Sequence, residues 1–393
     1  ENTEGFEGTR LVLVVGGLWG SYRSRLLQYM QQLAVITPYA ELSLEYKCPA
    51  SPSREFAFAW HRRSTRVPPP AKEVLHHPSS VNNLLVGQLA DRFAASSSAP
   101  TLLRFLSSCF AQVSRSQARE MLQLVGNVGL QEESLVSELD QRQIHAITQQ
   151  LREWPVDPPD GSCLSPAGEY NLRLGIMKEL APALVATHTA PVGVVEGHPF
   201  LVEAGVSIGG RAADGIAVHR FANRIPLLFE GGGDVVTRTA TQRLKWAQYK
   251  IDHRRDKVGV FVSIVSTKVP FKGTGKEYIG DDILEIQHAV RGALQACCSQ
   301  LRVKLARRNA LKEQADRRKN LVRYIPDVTR SVLAVLGEAR RRRDAKGDVV
   351  DPFPKRRRVL ERLDRGEVTE ALLDAKLRSA VAAADDAAAL DSA

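Results

Sequence analysis

The spacing of apolar residues predicts a mixed α/β segment at the start of the chain. An apolar run over residues 10–17 ends in two glycines, which is typical of a strand followed by a turn. Residues 24–33 then place their apolar side chains on one helical face, which predicts a helix. Apolar and polar positions alternate over residues 40–46 and again over residues 56–60, so two half-buried strands are expected next.

A second segment, residues 71–157, has helical periodicity. Three consecutive prolines at residues 68–70 precede it, and they mark a boundary because proline neither donates to a β-ladder nor continues a helix. Three helices are predicted in this segment, the third closing at Gly126 and capped at its start by Ser114 or Ser116.

From about residue 164 the pattern is mixed again. A helix is predicted over residues 172–180, and the alternating positions over residues 200–208 predict a strand with one buried face. Further strand is expected over residues 220–229, followed by a glycine-rich turn and a helix capped by Asp234.

Residues 258–265 are almost continuously apolar and β-branched, which predicts a strand covered on both faces. Lys268 follows this strand and begins a basic loop with two glycines. The loop is not a P-loop, since Gly275-Lys276 precedes Glu277 where Ser or Thr is required. By its spacing alone, a lysine at a strand end is most often a solvated surface charge.

The last part of the chain is predicted to be a long helix and a basic tail. The helix begins near Asp281 and Asp282, and its apolar stripe indicates a core or a subunit interface. After Pro326 we expect one short apolar helix over residues 333–336, then basic clusters and a low-complexity end over residues 382–389.

Net charge is the unusual feature of the composition. The 393 residues are 44% hydrophobic and 25% charged, which is ordinary for a folded protein, but the formal net charge is +10. Residues 302–346 hold 15 Lys or Arg against 5 Asp or Glu, a difference equal to that excess. This pattern favours a basic appendage on a neutral body over a protein that is basic throughout.

The cysteines and histidines do not have the spacing of a metal site. Five scattered cysteines lack zinc spacing, so we expect a reduced intracellular protein without a metal. For His76-His77-Pro78 a capped turn is the better interpretation, because no further ligands cluster nearby in the sequence. Neither a signal peptide nor an apolar run long enough to span a membrane is present, so no membrane association is expected.

Three long runs resemble the B subunit of type IIB DNA topoisomerase VI, in its plant and algal form. They are G-H-P-F-L-V-E-A-G-V-S-I-G-G at residues 197–210, R-F-A-N-R-I-P-L-L-F-E at residues 220–230 and S-T-K-V-P-F-K-G-T-G-K-E at residues 266–277. The resemblance covers roughly residues 1–310 and implies an α+β fold. It implies four parts: the end of a GHKL (Bergerat) ATP-binding domain (1–70), a helix-two-turns-helix domain (71–157), a transducer domain similar to the second domain of ribosomal protein S5 with a long helix (158–325), and a basic, partly disordered extension (326–393).

The same resemblance implies an ATP-hydrolysing topoisomerase that works as an A/B complex in the nucleus. Lys268 would bind the γ-phosphate of ATP held by the neighbouring domain, and no catalytic residue or metal site is assigned to this chain. Gly8-Thr9 would be the last nucleotide-side motif, while the Mg²⁺-binding helix, the D-x-G-x-G loop and the lid are absent. The chain therefore looks like a fragment that is inactive alone. Expected partners are the DNA-cleaving A subunit in an A2B2 heterotetramer, a second B subunit when ATP binds, and double-stranded DNA.

Two alternatives remain open at the level of sequence. One is a meiotic B-like partner that supports DNA double-strand breakage without strand passage. The other is a non-enzymatic nucleic-acid scaffold that uses the basic tail.

Overall fold

The computed structural model describes residues 8–49, 52–125, 128–346 and 354–391. The chain divides into two compact units, Glu1–Arg302 and Val303–Ala393. The helices are α1 (Trp19–Ile36), α2 (Asn83–Ser96), α3 (Leu102–Cys109), α4 (Arg115–Leu124), α5 (Gln141–Glu153), α6 (Glu169–Leu180), α7 (Val235–Arg238), α8 (Leu284–Lys346), α9 (Pro354–Asp364) and α10 (Glu370–Asp391). The strands are β1 (Leu42–Tyr46), β2 (Phe56–Trp60), β3 (Leu184–Thr189), β4 (Gly193–Val195), β5 (His198–Ile208), β6 (Ile216–Ala222), β7 (Ile225–Pro226), β8 (Val258–Ser266), β9 (Phe271–Lys272) and β10 (Tyr278–Ile279). The predicted domain boundaries at residues 70, 157 and 325 stay predictions.

The first predicted strand is wrong. Residues 10–17 form no strand, and the side chains of residues 11–15 are between 72% and 100% exposed. A strand needs a hydrogen-bonding neighbour, and no other described segment pairs with this one. The helix and the two strands expected after it are confirmed as α1 and the antiparallel pair β1 and β2, in which Leu42 lies opposite Trp60.

The helical segment contains one helix more than predicted. Ser114 caps α4 through a capping box with Gln117, as expected, whereas the predicted end at Gly126 lies outside the described residues. Helix α5 was missed because, among many glutamines, its packed face has only four apolar residues, Ile144, Ala146, Ile147 and Leu151. Its capping box, Asp140 with Gln143, was the signal that could have revealed it.

The main sheet has the strand order β3-β5-β8-β6-β7, with β4 also paired to β5. All nine residues of β8 are buried, which confirms the strand predicted from the apolar run. Strand β5, predicted to have one buried face, is instead buried on both. A Cβ at Gly205 would touch Ile176 of α6. The carbonyl oxygen of Ala204 accepts a hydrogen bond from the Cys297 thiol of α8, with Sγ and O 3.5 Å apart. Helices therefore cover both faces of this strand.

The strand expected over residues 220–229 is shorter in the structure. Strand β6 ends at Ala222, and Asn223 and Arg224, both with positive φ, turn the chain into the two-residue β7. Asp234 caps α7 as predicted, since its Oδ1 accepts hydrogen bonds from the backbone N–H groups of Val236 and Thr237. The helical path continues as a π-helical turn over Thr239–Arg243.

Pro326 does not end a helix, so the expectation of a separate short helix after it is wrong. Helix α8 runs through the proline to Lys346. A proline removes one hydrogen bond of the helix, whereas Ala, Leu, Arg and Lys, which are frequent in α8 as a whole, favour helix. The extension was expected to be partly disordered; its described residues are helical except for residues 365–369, and Arg343 of α8 pairs with Asp364 of α9 at 2.7 Å. Among the described residues, none of the helices is long and apolar enough to cross a membrane.

A candidate phosphate-binding lysine at the end of a buried strand

Lys268 lies two residues beyond Ser266, the last residue of β8. Its side chain is 58% exposed, and its Nζ lies 3.8 Å from Oε2 of Glu196, a carboxylate that is itself 78% exposed. The backbone of Lys268 thus lies next to the buried sheet, while its ammonium group is accessible to solvent. This combination suits a cation that binds a ligand held by another part of a protein.

Hydrogen bonds from two neighbouring strands hold the backbone just before Lys268. Asn223 brackets Ser266, accepting a hydrogen bond from its N–H at 3.0 Å and donating one to its carbonyl at 3.1 Å. The Ser266 hydroxyl donates to the carbonyl of Pro199 at 3.0 Å and accepts from the N–H of Lys268 at 3.2 Å. Because Asn tolerates the left-handed conformation seen at position 223, it suits this turn. The backbone at Lys268 is therefore fixed relative to β5 and to the turn that follows β6.

The basic loop after Lys268 is a short hairpin. Its strands β9 and β10 pair antiparallel, with Phe271 opposite Ile279. Beside it, Lys272 and Asp282 form an exposed ion pair at 2.6 Å, and this hydrogen bond raises the pKa of the lysine and lowers that of the aspartate. Lys272 is thus held closely by a carboxylate, whereas the Lys268 ammonium lies 3.8 Å from the carboxylate oxygen of Glu196.

A buried ion pair anchors the far end of this loop. Asp234 Oδ2 accepts a hydrogen bond from the N–H of Ile279 at 3.1 Å and lies 3.3 Å from Nη1 of Arg220. Both charged side chains are almost completely buried. Nη2 of Arg220 donates hydrogen bonds to the carbonyls of Leu227 and Phe229. Asp234 therefore acts as a helix cap, a counter-charge and a loop anchor at once.

A cavity of about 440 Å³ lies next to Lys268, between the strand ends and the helical segment. Its lining includes His76, His198 and Thr267, together with apolar side chains from residues 74–75 and 158–159. The His198 Nδ1 lies 3.1 Å from the Thr267 hydroxyl. Burial, and then the nearby Lys268 ammonium, lower the pKa of His198, so its ring is neutral at neutral pH.

His77 forms the capped turn predicted for it. Its Nδ1 accepts a hydrogen bond from the N–H of Ser79 at the start of the 3₁₀ turn Pro78–Ser80, which leaves the proton on Nε2 to donate to the carbonyl of Asp157 at 2.9 Å. Both ring nitrogens are thus occupied within the protein. No group of three or more His, Cys, Asp or Glu that could hold a metal occurs in the described part of the chain.

Three of the five cysteines, Cys163, Cys297 and Cys298, are buried. All five are free thiols, and Cys297 and Cys298, which lie on α8, are fully buried. Burial raises the pKa of Cys298 to about 12 and that of Cys297 further. Both thiols stay protonated at neutral pH and are not nucleophiles.

Sequence reasoning proposed Lys268 but did not identify the residues around it. Asn223 and Glu196 both lie at positive φ in tight turns between strands. Gly197 between two apolar runs was a detectable turn signal. Gly8-Thr9 lies in exposed, irregular chain, and its role stays a prediction.

Comparison with known proteins places this geometry in context. Residues 159–317 match the family described as "Topoisomerase VI B subunit, transducer". The chain is 46% identical to the B subunit of DNA topoisomerase 6 from Oryza sativa subsp. indica, over 94% of its own length and 52% of the relative's. It is 45% identical to the Arabidopsis thaliana protein of the same name over 99% of its length and 57% of the relative's. Identity to the B subunit of the type 2 DNA topoisomerase 6 from Saccharolobus solfataricus is 29%, over 89% of this chain and 64% of that protein.

The chain therefore spans about half the length of the curated plant relatives it matches. The resemblance inferred from the three sequence runs is confirmed, and the transducer match includes the main sheet, Lys268 and the first part of α8.

Proposed function

We propose that this relative of the topoisomerase VI B subunits is the nucleotide-responsive subunit of a type II DNA topoisomerase. The enzyme would relax and decatenate DNA by passing one duplex through a transient double-strand break in another. The observation that carries the proposal is an exposed Lys268 at the end of a fully buried strand, within a region that matches the transducer family.

Lys268 is proposed to act as a sensor of the terminal phosphate of ATP. Its ammonium is a donor of the type that binds phosphate by charge-assisted hydrogen bonds. ATP supplies the negative charge when it is bound, and hydrolysis with phosphate release removes it. A state that places Lys268 at the phosphate is favoured only while that charge is present.

The surroundings of Lys268 suit the transmission of such a change. Ser266 and Asn223 tie the backbone at the lysine to three strands, so a displacement there is transferred to the sheet. The hairpin after the lysine leads directly into α8, and Asp234 fixes its end to α7. In this proposal, sheet and helix move as one element and change the separation of the A subunits.

The finer assignments belong to the same proposal. Helix α1 with β1 and β2 is the closing part of a GHKL ATP-binding domain, and the main sheet with its helices is a transducer similar to the second domain of ribosomal protein S5. The proposal places Mg²⁺ with the ATP held by the nucleotide-binding region and assigns no Mg²⁺ ligand to the described residues. The proposed assembly is an A2B2 heterotetramer on double-stranded DNA in the nucleus, with the two B subunits associating when ATP binds.

The test is Lys268→Ala in a protein that carries the nucleotide-binding region and is assembled with the A subunit. We expect ATP-dependent relaxation of supercoiled DNA to fall by at least about tenfold, the scale of a lost charge-assisted contact. Lys272→Ala is the matched control, because Lys272 lies in the same loop but is paired with Asp282. Unchanged relaxation by the Lys268 variant would refute the sensor role.

A second candidate is a DNA-binding scaffold, which the 15 basic residues of residues 302–346 favour. It predicts DNA binding with a steep salt dependence that is abolished by removal of residues 302–393, while Lys268→Ala has no effect. Retained DNA binding after that deletion, together with loss of relaxation in the Lys268 variant, would exclude the scaffold. Relaxation by the complex would likewise exclude a meiotic B-like partner that only supports DNA breakage.

A further inference from the structure

Glu196, the counter-charge of Lys268, occupies an unusual backbone position. It is the first residue of the two-residue turn between β4 and β5, where Glu196 has φ 48° and Gly197 has φ 75°. A turn with two left-handed residues is typical of type I′ hairpins, in which Asn, Asp and Gly are the usual residues. Glutamate has no conformational advantage there, so its carboxylate is the useful group.

The turn is held rigidly next to Lys268. Strand β5 pairs with β8 so that Phe200 lies opposite Ser266, which brings the start of β5 beside the residues that follow β8. On its other side the turn packs against the 3₁₀ turn Pro78–Ser80, where a Cβ at Gly197 would lie 2.7 Å from the Ser80 nitrogen. Contacts from two directions therefore fix the backbone of the turn that carries Glu196.

The charges around Lys268 make Glu196 its main electrostatic partner. His198 is neutral at neutral pH, because burial lowers its pKa. An exposed pair at 3.8 Å is weak, since water screens both charges and the side chains lose freedom when they pair. A terminal phosphate carries more negative charge than one carboxylate, so it competes successfully for the lysine.

We propose that Glu196 is a positioning residue that holds Lys268 when no terminal phosphate is present, and that it thereby sets the preference for a nucleoside triphosphate over a diphosphate. The inference rests on the proposed function of Lys268. A triphosphate must displace the carboxylate before it contacts the lysine. A diphosphate leaves the pair in place, and after phosphate release the carboxylate binds the lysine again.

The first measurement is the affinity for a non-hydrolysable ATP analogue and for ADP in the protein that carries the nucleotide-binding region. Glu196→Gln should bind the ATP analogue about two- to fivefold more tightly, the range expected for an exposed ion pair, with ADP affinity unchanged. The same change in a Lys268→Ala background should have no effect, because the pair is already absent. An unchanged ratio of the two affinities in Glu196→Gln overturns the inference.

A second measurement follows the pair in this chain without nucleotide. Pairing holds the Lys268 ammonium against a carboxylate and so limits its access to a reagent, and Glu196→Gln should therefore speed acetylation of Lys268 by a small amine-reactive ester, quantified by mass spectrometry. Asp282→Asn is the matched control and should speed acetylation of Lys272 alone. Unchanged acetylation of Lys268 in Glu196→Gln overturns the inference.

The two measurements separate this inference from the proposed function. Suppose acetylation of Lys268 rises and Lys268→Ala weakens ATP binding, while Glu196→Gln leaves the ATP to ADP ratio unchanged. Then the sensor stands and the positioning role of Glu196 is refuted. If neither variant alters ATP binding, the proposed role of Lys268 fails, and the inference fails with it.

Discussion

Asp234→Asn tests how the buried ion pair stabilises the region around the candidate site. Asparagine keeps a side-chain oxygen that caps α7, but its amide nitrogen cannot accept the Ile279 N–H, so the variant removes that hydrogen bond together with the negative charge beside Arg220. The Arg220 side chain is only 6% exposed and keeps just two carbonyls, those of Leu227 and Phe229, as hydrogen-bond partners. The variant therefore leaves a buried cation without its counter-charge.

The magnitude follows from that burial. Removing one partner of a buried pair costs about 3–5 kcal/mol, and we take the lower end, about 3 kcal/mol, because two carbonyls still compensate Arg220. With a shift of about 2–4 °C per kcal/mol for a domain of this size, the melting temperature should fall by about 6–12 °C.

Urea unfolding of the full chain, followed by tryptophan fluorescence, measures the effect. Trp246 is a suitable probe because it is buried close to α7, where its indole N–H donates to the carbonyl of Ala240 at 2.8 Å. Asp282→Asn is the matched control, since it removes an aspartate of an exposed pair and should leave the unfolding midpoint within error. Arg220→Met combined with Asp234→Asn should recover part of the loss, because no unpaired charge remains. Equal midpoints for Asp234→Asn and Asp282→Asn would refute the reasoning.

Three further predictions concern pH, backbone geometry and thiols. Burial lowers the pKa of His219 to about 4, so unfolding free energy should decrease as pH falls from about 6.5 towards 4, and His219→Phe should flatten that part of the urea midpoint curve. If the urea midpoint of His219→Phe fell between about pH 6.5 and pH 4 as steeply as that of the unchanged protein, this assignment would be contradicted. Gly197→Ala should destabilise by about 1–3 kcal/mol because its φ is positive and the added Cβ meets backbone, whereas Gly292→Ala, in open space on α8, should stabilise by up to about 1 kcal/mol in thermal unfolding. Ellman's reagent should modify the two partly exposed cysteines of the native protein before the three buried ones, and equal rates for all five would count against the described packing.

Features that depend on neighbouring residues in the chain were predictable. The apolar run of β8, the capping box at Ser114, the His77 turn and the Asp234 cap all depend on a few consecutive residues, and the structure has each of them. Features that depend on a distant partner were not. Residues 10–17 have strand-like composition but no paired neighbour among the described residues, and alternation along β5 did not reveal that helices cover both of its faces.

The candidate site also combines features that the local sequence predicts with features that depend on distant parts of the chain. The sequence alone determined that a lysine follows a buried strand, because a continuous β-branched run of that length forms a strand covered on both faces. Only the tertiary structure decided which carboxylate meets Lys268. That choice depends on the register of β5 against β8 and on a left-handed turn packed against the helical segment, which together bring Glu196 to 3.8 Å from the lysine. Pairing between strands far apart in the chain sets such a distance, and no local pattern encodes it.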